Sequence, residues 1–435
     1  MSLRSWFSEW PSEQLAQIYS GGDLGGKKFC GHTFQLGREE RCWGRIFYRL
    51  KQSSLGESSR PISIRAEGDQ PFQRKSELVI LKSRLSTLLV RSGIWEVLFP
   101  PRLSPRLLDW VSSFEPQAIY CQGYSLAFAW LPVMLSKHLK IPICFQLGDD
   151  WPMYLYRDSL LSLGLRPVVK RAVNELIAES SMLIANSKRM AEEYAVRYGY
   201  RFVPIMMGDR AERFQVAQPV RLHEPSIISL LYSGNLGQGR WKSLTEVCYA
   251  AEALQREGYR IGVTAFASTV PSEAINLLKS LNNLQVLPPP AHDMLPAYLK
   301  GADILVLPET FNSAMANEIR LSISTKAHLY MMSERPILVY GSPLTGIVDY
   351  ARREGWASVV DHNDQLQLMA ALRQLIDDPA LRQRLVERGI HVALKNHSES
   401  VIRKRFLAAL KNMLSSSDNL AGSTSASVNA SNKNR

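Results

Sequence analysis

The sequence predicts an α/β fold built from two doubly wound, largely parallel sheets. Three observations lead there. Short apolar runs alternate with amphipathic stretches from about Leu103 to Asp361. The runs are apolar on both faces, as strands covered by helices on either side must be. The series also restarts after a looser stretch, Pro204 to Pro225.

Taken in order, Ser5 to Gln14 reads as a helix and Leu15 to Tyr19 as a short strand. Gln73 to Arg91 sets Leu78, Leu81, Leu85, Leu88 and Leu89 at helical spacing, with Arg74, Lys75, Lys82, Arg84 and Arg91 elsewhere. Such a basic amphipathic helix can pack on its own domain or rest on anionic lipid headgroups. Helices follow over Leu107 to Phe114 (stopped by Pro116), Ala127 to Leu139, Val168 to Glu179 and Met190 to Tyr198. Strands fall at Ala118 to Cys121, Ile141 to Leu147 and Met182 to Ala185. In the second series the strands are Ile227 to Tyr232, Ile261 to Phe266, Leu284 to Leu287, Ile304 to Leu307, Ile337 to Tyr340 and Ser358 to Val360. Its helices are Leu244 to Glu257, Ser272 to Leu281, Met294 to Lys300 and Ala327 to Met332, and Asp364 to Met413 is helical throughout. These spans predict a first domain over residues 1–210, a second over 211–395, a closing helix over 396–414 and a Ser/Asn-rich disordered tail over 415–435.

Composition narrows the function classes. The 435 residues are 46% hydrophobic and 21% charged, which excludes a disordered or fibrous chain. A formal charge of +12, about half of it in the first hundred residues, favours anionic partners. No aromatic–basic motif of a nucleic-acid binder accompanies it, so nucleic acid is not expected. Five scattered cysteines without a CxxC pair argue against zinc and a disulfide framework, and fit a reducing cytosol. No apolar run reaches the roughly 18 residues of a membrane span, and Met1 to Trp10 lacks a signal-peptide core. The expected location is cytoplasmic, with a peripheral position at the inner membrane face left open. The eight histidines fall in no GxSxG or HExxH context.

Four stretches carry chemistry. Tyr232 to Lys242 (YSGNLGQGRWK) lies between a strand and a helix. Gly234, Gly237 and Gly239 let backbone N–H groups approach an anion, with Asn235 in the same loop, while Arg240 and Lys242 add full charges. The acid that a dinucleotide site would need some 20 residues on would be Glu252 or Glu257, and both sit inside the helix, against NAD. Ser324, Thr325 and Lys326 open a second helix, where a hydroxyl can cap and a cation can meet an anion. Asp149 and Asp150 follow the strand IPICFQL, at the strand end where α/β proteins bind ligands, and read as acid/base or sugar-holding groups or as a helix cap. Asn186 and Ser187 read as helix caps.

In order along the chain, Asp149 to Pro152 (DDWP), Ala185 to Gly199, Tyr232 to Leu244, Ala302 to Phe311 (ADILVLPETF), Ser324 to Lys326 and Arg335 to Gly341 resemble retaining glycosyltransferases of the family-4 group. Asp377 to Leu385 and the helix Ser400 to Leu414 continue the resemblance, which covers about residues 105 to 412. It implies GT-B architecture, two Rossmann-like domains facing a cleft, the second holding a UDP- or GDP-sugar and the first a saccharide or lipid-linked glycan acceptor. The diphosphate would meet the Gly234 loop, Arg240, Lys242, Ser324, Thr325 and Lys326, and Asp149 and Asp150 would face the sugar or acceptor as catalytic groups. The resemblance implies no cofactor and no metal, and retention of anomeric configuration.

Departures from the family pattern are specific. Leu321 and Leu329 stand where many relatives carry a Glu pair, Glu334 where they carry Gly, and Gln146 where they often carry His. The chain also opens inside what resembles the first helix, so the first domain is expected to lack its first strand, with Gly21-Gly22 and Gly25-Gly26 a poor substitute for its loop. These departures keep open a non-catalytic sugar-nucleotide-binding or scaffold protein. A sugar-nucleotide epimerase on the same fold is the other alternative.

Overall fold

The computed structural model describes residues 6–20, 30–42, 92–157 and 164–431. The expected helix Gln73 to Arg91 and the glycine pairs at 21–26 lie outside them. Two compact units result, one of Met1–Ser8, Gly148–Asp150 and Ile184–Ala409, the other of Glu9–Leu147, Trp151–Leu183 and Leu410–Arg435.

The first strands among the described residues form a pair. β1 (Ala16–Tyr19) pairs in parallel with β2 (His32–Gln35). Of the expected helix over residues 5–14, the described residues keep only Trp6 and Phe7 helical, followed by a 3-10 turn at Ser12–Gln14. Pro11 is the reason, because it donates no N–H and fixes φ at −55°, with an extended ψ of 131°. Phe34 of β2 packs with Leu107 and Val111 of α1 (Pro105–Phe114) and with Leu131 and Leu135 of α2 (Leu126–Leu139). Ser104 caps α1, accepting from Leu107 N at 3.1 Å, with Pro105 at the first position. A four-stranded sheet has the order β3 (Ile119–Cys121), β4 (Ile143–Leu147), β5 (Ser180–Ala185), β6 (Val203–Pro204). Between these strands run α3 (Arg166–Glu179) and α4 (Lys188–Tyr198), the latter capped by Ser187 as its sequence suggests.

The second sheet has six strands: β7 (Ile228–Gly234), β8 (Ile261–Ala267), β9 (Leu284–Leu287), β10 (Ile304–Pro308), β11 (Ile337–Tyr340) and β12 (Ser358–Val360). All pairs are parallel, in the order β12-β11-β10-β7-β8-β9. Numbered from β7, this is the 3-2-1-4-5-6 doubly wound order, whose switch point lies between β7 and β10.

Alternate residues of each strand feed opposite cores, as the two-residue period requires. Leu230, Tyr232, Val306 and Leu338 pack under α5 (Arg240–Arg256) and, through Leu368, Leu372 and Leu375, α11 (Gln365–Asp377). Leu231, Leu305, Leu307 and Val339 pack on the other face against α9 (Lys326–Met332) and α10 (Gly346–Glu354). Further helices are α6 (Ile275–Ser280), α7 (Leu295–Gly301), α8 (Ser313–Glu318), α12 (Pro379–His397) and α13 (Glu399–Ser431), with short helical turns at Ile94–Leu98, Trp151–Tyr154 and Glu212–Gln215.

The closing helix therefore continues through residues 415–431, where the composition suggested a disordered tail. Ser415 and Ser416 turn their hydroxyls inward onto Lys411 O (3.0 Å) and Asn412 O (2.8 Å), four residues back, so their side chains bond within the helix instead of competing with it. Among the described residues no helix is long and apolar enough to cross a membrane.

Candidate functional site

Of the predicted anion-binding residues, Gly234, Arg240 and Lys326 come to the β7–β10 switch point. Gly234 closes β7, and Glu309 directly follows β10. Gly234 leaves the space that Lys326 fills: a Cβ there would overlap Lys326 Cε and approach Nζ to 2.7 Å. The Lys326 ammonium lies over the Tyr232 ring, 5.1 Å from its centroid, and has no hydrogen-bond or ion-pair partner among the described residues. Burial holds its pKa down to about 8, with Glu309 pulling it up and Arg240 pushing it further down.

Arg240 is the first residue of α5, and its Nε donates to Glu309 Oε2 at 2.9 Å. Glu309 is 1% exposed, and its backbone is fixed on both sides: its N–H donates to Tyr340 O (2.7 Å) and its carbonyl accepts from Ser243 Oγ (2.6 Å). Gly341 passes so close that a Cβ would sit 2.7 Å from Glu309 Cβ. Arg240, 69 residues away in sequence, thus pairs with a buried carboxylate whose charge also acts on Lys326. Glu309 was missed in the sequence reading, although the test that singled out Asp149 and Asp150, an acid just past a buried strand, applies to it equally.

The loop is self-bonded to a degree the sequence did not reveal. Asn235 Oδ1 accepts from Gly237 N at 2.7 Å, and Asn235 O accepts from Tyr232 OH at 2.6 Å. Gly239 takes φ = +76°, where a Cβ would also lie 2.6 Å from Thr310 Oγ1. The first amides of α5 are engaged in turns: Arg240 N donates to Gly237 O, Trp241 N to Leu236 O and Lys242 N to Gly239 O. Those N–H groups are therefore not aimed at an anion, contrary to the expectation for a helix start. Lys242 is exposed, with its ammonium 5.4 Å from the Trp241 ring centroid. In the second stretch Thr325 is exposed at the N-cap without a side-chain cap bond, and Ser324 O and Oγ accept from Ala327 N (3.0 Å) and Lys326 N (3.5 Å). Of the three cations expected at the diphosphate, Lys326 stands without a partner, Arg240 is paired and Lys242 lies on an indole.

Asp150 has a different environment. It is 1% exposed, and its oxygens accept from Arg197 Nη1 (2.6 Å) and Nη2 (3.2 Å) and from Tyr194 OH (2.9 Å). Glu193 bonds both Arg197 and Arg320, and Arg320 lies 3.8 Å from Asp150 Oδ2. The Arg320 hydrogen bond holds the Glu193 carboxyl below its usual range. Asp150 is thereby the hub of a two-arginine, two-carboxylate cluster and is not presented to solvent. Asp149 O accepts from Tyr194 OH at 3.3 Å, so the pair sits against α4. Asn186 donates to Gly148 O at 3.1 Å, fixing the strand-end turn. Nearby in sequence, Gln146 is fully buried and accepts from Gln122 Nε2 at 2.7 Å.

Leu321 and Leu329, at 1% and 8% exposure, fill apolar space where the resemblance expected carboxylates. Two of the eight histidines do meet: His328 and His397 stack with ring centroids 5.6 Å apart, and burial holds His397 at about 4. Among the described residues no group of three or more His, Cys, Asp or Glu side chains is placed to hold a metal ion.

No protein-family model and no curated protein matches the sequence. Solved structures do. Sucrose-phosphate synthase from Thermosynechococcus elongatus is similar with a TM-score of 0.55 and 14% identity, covering 71% of this chain and 76% of that one. An alpha,alpha-trehalose 6-phosphate synthase from Burkholderia multivorans gives 0.54 and 15%, covering 78% and 77%. HepE from Anabaena, solved in complex with UDP-glucose, gives 0.52 and 14%, covering 71% and 82%. At such identity the likeness concerns the fold, and the two-Rossmann, GT-B fold class expected from the sequence is the fold of this chain.

Proposed function

We propose that the chain is a retaining, family-4-like glycosyltransferase that moves a hexose from a UDP- or GDP-sugar to a saccharide or lipid-linked acceptor. The observation that carries this reading is the Lys326 ammonium, lodged over Gly234 at the switch point with no anion of its own. A cation half-buried without a partner is costly, so an unpaired one at a strand-end loop is poised for an anionic ligand. The fold shared with enzymes whose names and complexes involve sugar phosphates and UDP-glucose makes a nucleotide diphosphate the natural candidate.

In this reading an acceptor hydroxyl oxygen bonds to the anomeric carbon as the bond to the diphosphate oxygen breaks; the electron pair leaves with the diphosphate, which takes up the hydroxyl proton, and Lys326 meets the charge that builds there. Positive charge placed in advance, in a site with little water, favours the departing anion more than the intact donor. Arg240 contributes through its Glu309 anchor, which fixes the guanidinium at the loop. Residues 1–210 would hold the acceptor and 211–395 the donor, with no metal taking part. Asp150, held by Arg197 and Tyr194, is assigned a positioning role at the strand end.

The paired Asp150 and the leucines at 321 and 329 favour one competing reading, a sugar-nucleotide binder that does not transfer. Thermal shift against UDP, GDP and their hexose conjugates tests nucleotide binding, and product analysis separates the two readings. A nucleotide at 100 times its Kd should stabilise by about 2.7 kcal/mol, a rise of about 5 to 10 °C for a domain of this size. Lys326→Met should abolish that rise while leaving the unliganded melting point unchanged or higher. An undiminished shift in Lys326→Met, or no shift with any nucleotide, would remove the basis of the proposal.

A further inference from the structure

A cavity of about 290 Å³ opens beside the Ser187 cap of α4, between that helix and α10, α12 and α13. None of Gly234, Arg240, Glu309 or Lys326 lines it, so it is separate from the site already described. All of its lining residues belong to the Ile184–Ala409 stretch of one compact unit. We propose that this cavity is a second ligand site, for a single phosphate group, either free or carried as the monoester of a small sugar.

Charge is the first argument. Lys188, Arg353 and Arg405 line the cavity with one carboxylate, Glu354. Three cations against one anion leave a surplus of two positive charges, matching the charge of a phosphate monoester, close to −2 near neutral pH. The surrounding carboxylates do not cancel it: Asp349 holds Arg353 (2.7 Å) but is shared with Arg189, Glu354 is itself drawn by Arg388 (3.3 Å), and Glu192 is 3.7 Å from Lys188.

Arg405 is the second argument. Among the described residues it has no carboxylate within 4 Å. Its Nη2 donates to Lys395 O at 3.1 Å, which leaves most of the five guanidinium N–H donors uncommitted. A planar fork of this kind binds phosphate oxygens in pairs. α4 also begins at the cavity, so its dipole adds to the same sign.

The remaining walls account for the ester arm. Pro204, Met206 and Ile323 give an apolar side, while Asn396 reaches Tyr350 OH at 3.2 Å and retains a second amide hydrogen for a hydroxyl. The volume is at the small end of ligand pockets, about 300 Å³. It suits a phosphate with one sugar ring and is too small for a nucleotide diphosphate sugar.

Thermal shift at constant ionic strength tests the site on the full chain, with potassium chloride as baseline and millimolar inorganic phosphate or glucose 6-phosphate as probes. Both probes are expected to raise the melting temperature in the parent protein and equally in Lys326→Met. Arg405→Gln and Arg353→Gln should raise the half-saturating concentration about tenfold or more. Their unliganded melting points should stay at the parent value, since both side chains are largely exposed. A response to glucose 6-phosphate alone would identify the ester as the ligand, and a response to both at equal concentration the phosphate itself. The proposal is overturned by no shift with either probe, by shifts that persist in both arginine variants, or by shifts lost only in Lys326→Met. The last result would place the anion at the Gly234 loop and leave the nucleotide reading intact.

Discussion

Lys326 carries the most testable consequence at the scale of single residues. Its pKa near 8 stands against an ordinary value of 10.5, because burial disfavours the charged form more than Glu309 favours it. The folded chain therefore binds fewer protons than the unfolded chain between about pH 8 and 10.5, and stability attributable to this group rises across that window. Ligand binding runs the other way. A diphosphate needs the ammonium, so UDP affinity should be flat below about pH 8 and fall about tenfold per pH unit above it. Isothermal titration across pH 6.5 to 10 would read this as a break that Lys326→Met flattens. Glu309→Gln removes the anion that supports the ammonium, so its break should move to lower pH. A Glu309→Gln profile superimposable on the parent would show that Glu309 does not act on Lys326.

At the scale of elements, the Gly234 turn joins backbone economy to ligand chemistry. The absence of a Cβ at residue 234 is what admits the Lys326 stem, whose far end is flexible enough to yield. Gly234→Ala is therefore expected to leave the melting point within a few degrees of the parent while weakening UDP binding about tenfold or more, the loss of one charged contact. Equal UDP affinity in Gly234→Ala would mean that Lys326 reaches its ligand by another path. The same elements show what the sequence made legible. β11 falls on the residues expected because a strand apolar on both faces stands out between polar turns, and the short β9 and β12 fall on theirs as brief apolar runs between turns. α5 begins at Arg240, four residues ahead of the expected Leu244, since periodicity marks where burial starts and the first turn, Arg240 to Lys242, is not fully buried. The two-residue β6, and helices α8 and α10, offered too short or too mixed a pattern to be read. Partners distant in sequence were invisible for a different reason: Arg240–Glu309 spans 69 residues and Glu193–Arg320 spans 127, and no local period encodes such pairs. The Gly234 loop and Lys326 are legible because each lies at a strand end or helix start; Glu309 also follows a buried strand, but its pairing with Arg240 is visible only in three dimensions.

At the scale of the whole molecule, the beginning of the chain is tied to the start of its last helix. Trp6 is fully buried with its ring centroid 4.9 Å from that of Phe406 on α13, and Phe7 meets the same ring edge-on at 5.1 Å. Ser8 Oγ donates to Glu399 Oε1 at 2.7 Å and accepts from Arg403 at 3.2 Å, so the first turn of α13 is bonded from outside as well as from within. The junction ahead of it is held by the loop at 207–209. His397 Nδ1 bonds Met207 O at 2.7 Å, Asp209 N donates to His397 O at 3.1 Å, and Glu399 N donates to Asp209 O at 3.0 Å. Gly208 is required there, because a Cβ would overlap the His397 carbonyl. Trp6 thus packs, through Phe406, on the helix that leaves this junction, and Ser8 bonds its first turn. Trp6→Ala should accordingly cost about 3 to 5 kcal/mol in chemical denaturation, the range for truncating a buried large aromatic, while Trp6→Phe recovers much of it. UDP affinity measured well below the melting point should be the same in both variants, because neither Lys326 nor Glu309 contacts this cluster. If Trp6→Ala unfolded at the parent's denaturant midpoint, that packing would contribute nothing; if it kept its stability but lost UDP binding, Trp6 would belong to the ligand site and not to the scaffold.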